Sequence, residues 1–172
     1  MLMLLRRAED AELPEVVGLV NTAFRGSVGW AQEFHVMEGP RITLEDLQRD
    51  LSEKPTALQL VARDAEGTLQ GSVWMEPMNE DVWYLGLLAV RPDAQEKKLG
   101  RQLLAEAEKV ARQNGAQRIR ISVMNIRESL TAWYERRGYA RTGEIKPFPY
   151  GDLSVGRPLR DDLAFVMLEK AL

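Results

Sequence analysis

Between Gln95 and Arg101 the chain reads Gln95-Glu96-Lys97-Lys98-Leu99-Gly100-Arg101. This stretch follows a strongly apolar run. It leads into Leu99, Leu103, Leu104, Ala107, Val110 and Ala111, which recur at helical spacing. A helix N-terminus offers unpaired N–H groups and a partial positive charge, so a tight loop feeding one after a buried strand suits a phosphate. Gly100 lets a ligand approach the backbone closely, and Lys97, Lys98 and Arg101 add cationic charge. The loop matches neither the ATPase phosphate loop nor the dinucleotide Gly-x-Gly-x-x-Gly pattern. On these residues alone two readings stay open: a phosphate site, or an ordinary solvated helix start carrying surface lysines.

Composition narrows the chemistry. The absence of cysteine removes disulfides, thiolate nucleophiles and Cys-ligated zinc. One histidine, His35, is too few for a multi-histidine metal site, so no metal is expected. A net charge of −3 gives no general affinity for nucleic acid. No stretch approaches a membrane span, and the Met1–Leu5 run is too short for a signal-peptide core. The expectation is a cytoplasmic protein with no membrane or nucleic-acid partner. At 172 residues, one domain over 1–172 is the simplest division.

Several elements must position the loop. Leu2 to Arg7 reads as a strand, and Asp10 as the N-cap of a helix carrying Leu13, Val16, Val17, Val20 and Phe24. Arg25 to Pro40 lacks periodicity and reads as a loop. Thr43 caps a helix through Glu53. Strands are expected over Leu58–Arg63, Thr68–Met75 and Val82–Val90, with turns at Glu66-Gly67 and Pro77–Asp81. Their short connections imply antiparallel pairing. The helix after the loop closes at Asn114-Gly115, and Arg118–Met124 follows as a strand. A strand–helix–strand unit makes Val82–Val90 and Arg118–Met124 parallel. A short helix over Leu130–Arg137 and strands over Tyr139–Ile145 and Leu163–Leu168 complete the chain. The expected class is α/β: a mixed, mainly antiparallel sheet with a central parallel β-α-β unit and flanking helices.

In this order the residues carry a pattern. Leu87-Leu88-Ala89-Val90-Arg91-Pro92 precedes Gln95-x-x-x-x-Gly100-x-x-Leu103-Leu104. Asn125 follows the next strand, then Ala132-Trp133-Tyr134-Glu135-Arg136-Arg137-Gly138-Tyr139. Leu5-Arg6-Arg7-Ala8-x-Asp10 opens the chain. Together these resemble the GNAT superfamily of N-acetyltransferases, over about the whole chain. The resemblance implies acetyl-coenzyme A as cofactor, its diphosphate on the loop Gln95, Glu96, Lys97, Lys98, Leu99, Gly100 and Arg101. It further implies that Val82–Val90 splays from Arg118–Met124, freeing backbone groups near Leu88, Ala89 and Val90 for the thioester and pantetheine arm. Tyr134 matches the family's general acid, and a phenol with a pKa of about 10 is protonated at neutral pH. Asn125 matches a position that often meets the pantetheine arm; a strand-end turn residue is the competing reading. One departure stands out. The family's first loop glycine falls on Lys98, and a left-handed backbone there would cost lysine about 1–2 kcal/mol.

Acetyl transfer to an amine also needs a base. Glu33, His35, Glu38, Glu76 and Asp152 are candidates, and water relaying the proton to bulk is another. The resemblance places acceptor choice in Arg25–Arg41 and Lys146–Arg160. Trp30, Glu33, His35, Tyr150 and Asp152 are the candidate acceptor residues there, with Arg157 and Arg160 able to pair a substrate carboxylate. The expected partner is a small-molecule or peptide amine, and a homodimer follows from family habit. Lys98 and the missing obvious base motivate an alternative: a GNAT-like protein that binds coenzyme A or a small amine without catalysis.

Overall fold

The computed structural model describes residues 4–25, 36–92, 98–152 and 156–172. In chain order these form β1 (Arg6–Arg7), a 3-10 turn (Asp10–Glu12), α1 (Leu13–Arg25), β2 (Met37–Glu38) and α2 (Leu44–Glu53). Then follow β3 (Leu58–Arg63), β4 (Leu69–Pro77), β5 (Val82–Val90), α3 (Leu99–Gln113) and β6 (Arg118–Met124). Last come α4 (Glu128–Glu135), β7 (Ala140–Pro147), β8 (Arg157–Pro158) and β9 (Ala164–Ala171). Seven strands pair in the order β1-β3-β4-β5-β6-β9-β7. Among the described strands only β5 and β6 pair in parallel; the other pairings are antiparallel, and in β3–β4 and β4–β5 the short turns require it.

Helices cover both sheet faces because successive strand residues point to opposite sides. Leu13, Val16, Val20 and Ala23 of α1 and Leu47 of α2 bury against Val61, Trp74 and Ala89. Leu103, Leu104, Ala107 and Ala111 of α3 bury against Leu60, Val73, Met75 and Val90 on the other face. Thr43 Oγ1 accepts the Asp46 N–H at 3.1 Å and caps α2 as its sequence indicates. At Gly71 an added Cβ would lie 3.0 Å from Leu103 Cδ2 and 3.1 Å from Ala89 O, so this glycine sets how closely α3 lies on β4.

Three expectations change. The start of α1 is organised by Glu9 and Glu12 rather than by Asp10. The Glu12 carboxylate accepts the Glu9 N–H at 2.9 Å, and this reciprocal box builds a 3-10 turn ahead of the helix. The short helix near the end is Glu128–Glu135, shifted towards the N-terminus, because Thr131 N–H already bonds Arg127 O. Finally, Arg25–Pro40, read as a loop, contains β2, which pairs with β8 in the stretch between the last two expected strands, through Met37↔Pro158 and Glu38↔Arg157. Two residues are too few to carry a period-2 signal.

The central strand contains a one-residue slip. Ser72 pairs with Ala89 but Trp74 pairs with Gly86, so β5 holds one residue more than β4 between those pairs. Leu87, with φ +51°, takes up the excess. Before the slip, Trp83 and Leu85 face α3 and Tyr84 faces α1; after it, Leu87 and Ala89 face α1 while Leu88 and Val90 face α3. The bulge thus shifts the alternation by one at the middle of the strand.

Lys98 is the other non-glycine residue with positive φ among those described (φ 60°, ψ 28°). It sits directly before α3, and its carbonyl accepts the first helical bond, from Gln102 N–H at 3.2 Å. Lysine therefore occupies the left-handed region that glycine would enter at no steric cost. Lys98→Gly is expected to raise stability by about 0.5–1 kcal/mol, the left-handed strain relieved less the added chain entropy of glycine, measured as a shift in urea midpoint at constant m-value.

Glu12 ties β1, α1 and β3 together. It accepts from Arg6 Nη1 and Nη2 at 2.6 and 2.8 Å and from Arg63 Nε at 2.9 Å. The bond from Arg6, then the Glu9 N–H, lower its carboxyl from 4.5 to about 2. A carboxylate with a depressed folded value stabilises the fold above its unfolded value and loses that contribution as pH falls through the folded one. Stability should therefore decline from about pH 4.5 towards pH 2, and Glu12→Gln should flatten that decline in urea titrations at successive pH values.

Candidate active site

β5 and β6 pair only at Val82↔Arg118, Trp83↔Ile119 and Tyr84↔Arg120. Beyond these pairs both strands continue, β5 to Val90 and β6 to Met124, without pairing. β6 stays bonded to β9 as far as Met124↔Phe165, so β5, bent at its bulge, diverges from it. A cleft opens between them. Leu85 to Leu88 form one wall and Ile121 to Met124 the other.

The backbone of β5 suits this wedge. Arg91 N–H donates to Gln70 O on β4 at 3.0 Å. Alternation along the strand then directs the N–H of Ala89 to β4 and those of Leu88 and Val90 to the open side. Of the three residues expected to serve the cofactor through β5, Leu88 and Val90 keep that geometry; Ala89 gives its backbone to the sheet. Leu88 also lines the cleft.

At the edge of the same unit, Leu99, Gly100 and Arg101 form the first turn of α3. Because the first helical bond is Gln102 to Lys98, their three N–H groups have no acceptor within the helix. Lys98 and Arg101 are exposed beside them, and Gly100 is buried. Lysine at the usual glycine position has not prevented the helix start from forming, so the binding-only alternative loses the support it drew from Lys98. Gln95, Glu96 and Lys97 lie outside the described residues, as do Trp30, Glu33 and His35.

From α4, Tyr134 reaches into the cleft. It is buried and packs edge-on against Trp133 and Tyr139, with ring centroids at 5.0 and 5.6 Å. Burial raises its phenol above the ordinary value, the Tyr84 hydroxyl adds to the rise, and the nearby Arg127 guanidinium opposes it. Tyr139 is itself fixed: its hydroxyl donates to Glu108 Oε2 at 2.9 Å, and Lys170 Nζ lies 3.0 and 3.1 Å from the two Glu108 oxygens. This buried group braces α3, β9 and the aromatic support of Tyr134.

Among the described residues, the other expected ones do not line the cleft. The Asn125 side chain holds the start of β9, donating to Asp162 O at 2.9 Å and accepting from Ala164 N–H at 3.1 Å. Its strand-end role is therefore the one the geometry supports. Glu76 pairs with Lys54 at 3.5 Å and does not line the cleft. Glu38 is exposed on β2. The Tyr150 hydroxyl accepts the Leu163 N–H at 2.8 Å and braces its own loop, while Asp152 is exposed there; neither lines the cleft. Phe148 takes that place, stacked on Phe165 with centroids 5.6 Å apart.

Residues not singled out from the sequence fill the cleft instead. The Tyr84 hydroxyl meets Ser122 Oγ at 2.7 Å, spanning the two strands just past their last pair. Gly86 makes room for that ring, since a Cβ there would lie 3.0 Å from Tyr84 Cε1. Arg25 at the end of α1, Arg41 ahead of α2 and Arg127 at the start of α4 also line the cleft. The Tyr-x-Gly spacing within an apolar strand was the one available signal; nothing local marks the arginines.

Residues 15–139 match the model of the Acetyltransferase (GNAT) family. A mycothiol acetyltransferase of Propionibacterium freudenreichii subsp. shermanii is 34% identical over 144 residues, which cover 76% of this chain and 45% of that protein. A mycothiol acetyltransferase of Beutenbergia cavernae is 34% identical over 101 residues, covering 57% and 34%. The chain thus spans less than half the length of these curated relatives. Among solved structures, a phosphinothricin acetyltransferase from Sinorhizobium meliloti in complex with acetyl-CoA superposes with a TM-score of 0.71 at 16% identity, covering 100% of this chain and 89% of that one. Spermidine N-acetyltransferase from Vibrio cholerae, in complex with CoA and spermine, gives 0.72 at 16% identity over 98% and 95%. The family match covers the splayed strands, the start of α3 and Tyr134 in one continuous span, and the chain belongs to the GNAT acetyltransferase family.

Proposed function

We propose that this protein transfers an acetyl group from acetyl-CoA to an amine by direct attack within the cleft. The observation that carries this reading is the parting of β5 from β6 after Tyr84↔Arg120, which leaves strand N–H groups facing an opening that reaches Tyr134. Acetyl-CoA brings a thioester, an acetyl group already activated for transfer to nitrogen. The chain's own groups fit it in three ways. The free N–H groups at Leu99, Gly100 and Arg101 receive the diphosphate, with Lys98 and Arg101 adding charge. Leu88 and Val90 hold the pantetheine arm and thioester carbonyl through strand-like backbone bonds, and their N–H groups stabilise charge gathering on that oxygen. Tyr134 gives its hydroxyl proton to the sulfur as the carbon–sulfur bond breaks. The attacking amine loses a proton to water or to a base on the acceptor side.

The relatives bind different acceptors by name, so the fold leaves the amine open. A small molecule or a peptide terminus remains the coarse assignment. Among the described residues no helix is long and apolar enough to cross a membrane; a cytoplasmic setting suits the activity because acetyl-CoA is made and used there.

Tyr134→Phe should lower kcat by about 10-fold or more while leaving the coenzyme A dissociation constant little changed, measured by thiol release and by calorimetry. Unchanged kcat would remove Tyr134 from the mechanism. Because burial raises the Tyr134 phenol, its acid form persists past the ordinary range. The kcat profile should therefore show no alkaline fall near pH 10, the value of an unperturbed phenol.

A further inference from the structure

An amine that attacks inside the cleft needs a group there to accept its N–H. Of the base candidates that the structure describes, Glu38, Glu76 and Asp152 stand outside the cleft. Among the described lining residues, the side chains that accept a hydrogen bond well are the hydroxyls of Tyr84, Ser122 and Tyr134. Methionine thioethers accept only weakly, and arginine only donates. Tyr134 serves the sulfur in the transfer proposed above and belongs to the core on the α3 face. Tyr84 packs against the core on the α1 face. Ser122 alternates with Ile121 and Val123, which face α3, so its hydroxyl also lies on the α1 face. The Tyr84 and Ser122 oxygens are 2.7 Å apart, and both residues are half-buried rather than sealed from the opening. Gly86 keeps room for this arrangement: an added Cβ would lie 3.0 Å from Tyr84 Cε1 and 3.6 Å from its hydroxyl oxygen.

Resting on that acetyl transfer, we infer that Tyr84 and Ser122 are catalytic residues on the acceptor side: their hydroxyl pair receives the attacking nitrogen and passes its proton to water. The amine arrives as a free base. Its lone pair forms the C–N bond at the thioester carbonyl carbon, which leaves the nitrogen cationic with a proton to lose. That proton moves to one hydroxyl of the pair as that hydroxyl's own proton moves to the other, whose proton goes to water. Both hydroxyls end neutral, so a phenol with a pKa of about 10 serves without ionising. The C–S bond breaks with its electron pair on sulfur, which takes the Tyr134 proton, and Tyr134 regains one from solvent. Nucleophile and leaving group are thus served from opposite faces of the sheet, and the proton leaves without a carboxylate.

The test is thiol release from acetyl-CoA with L-leucine, L-leucinamide, glycylglycine and spermidine, in the wild type, Tyr84→Phe, Ser122→Ala and the double variant. With whichever amine reacts fastest, each single substitution should lower kcat by about 10-fold or more. The coenzyme A dissociation constant, measured by calorimetry, should stay within about 3-fold of wild type. Because the two hydroxyls act as one chain, the double variant should fall no more than about 3-fold below the slower single one. A smaller loss in either single variant, or losses that multiply in the double, would overturn the inference and leave acetyl transfer standing. So would a coenzyme A constant that rises beyond that range, since the pair would then be a tie that only shapes the strands. No thiol release from the wild type with any of these amines would overturn both.

Discussion

One extra residue in β5 organises the site. Without Leu87 in a positive-φ conformation, β5 would keep its register with β4 and would have no local reason to bend from β6. With it, the strand turns away past Tyr84, and the sheet acquires a gap in its middle rather than at its rim. A gap between central strands has two properties that a surface groove lacks. Its walls are backbone, already aligned, and their hydrogen-bonding groups face the opening because their partner strand is missing. Its ends open onto both sheet faces, so groups from α4 and from α1 address the same space from opposite sides. The left-handed Leu87 is a modest steric cost held in place by surrounding packing, which is how strain commonly persists at functional positions.

The rest of the structure supports that gap. β6 cannot follow β5, since it is bonded along its other edge to β9, and the Asn125 clamp fixes β9 where β6 ends. α3 closes one face by approaching β4 at Gly71. The Glu108, Tyr139 and Lys170 group joins α3 to β9 and supports the ring beside Tyr134. The β2–β8 pair joins two segments that are distant in sequence, and Met37 of β2 lines the cleft.

Much of the fold is legible in the residues alone. The helices over Leu13–Arg25 and Leu99–Gln113 carry strong 3.6-residue periods, and Thr43 marks its own helix start. The antiparallel run β3-β4-β5 and the parallel pair follow from the lengths of their connections. Tyr134 and the start of α3 are legible through an ordered resemblance spanning the chain. The expectations for the base, for the acceptor and for Asn125 at the pantetheine arm fare differently. Tyr150 braces its own loop, Asn125 clamps β9, and Glu76 pairs with Lys54, because a polar side chain's task depends on what is placed opposite it.

By itself the sequence determined the element types, the parallel β-α-β unit and the family, since these rest on local periodicity, connection length and motif order. Tertiary structure alone decided where the central strand slips and which side chains share the cleft. Val82–Val90 is apolar almost throughout, so no alternation within it shows the phase change at Gly86–Leu87; pairing with β4 does. Arg25 ends α1, Arg41 precedes α2 and Arg127 precedes α4, and these three distant positions share one cleft. Charge convergence of that kind is a property of distance in space, which no spacing along the chain records.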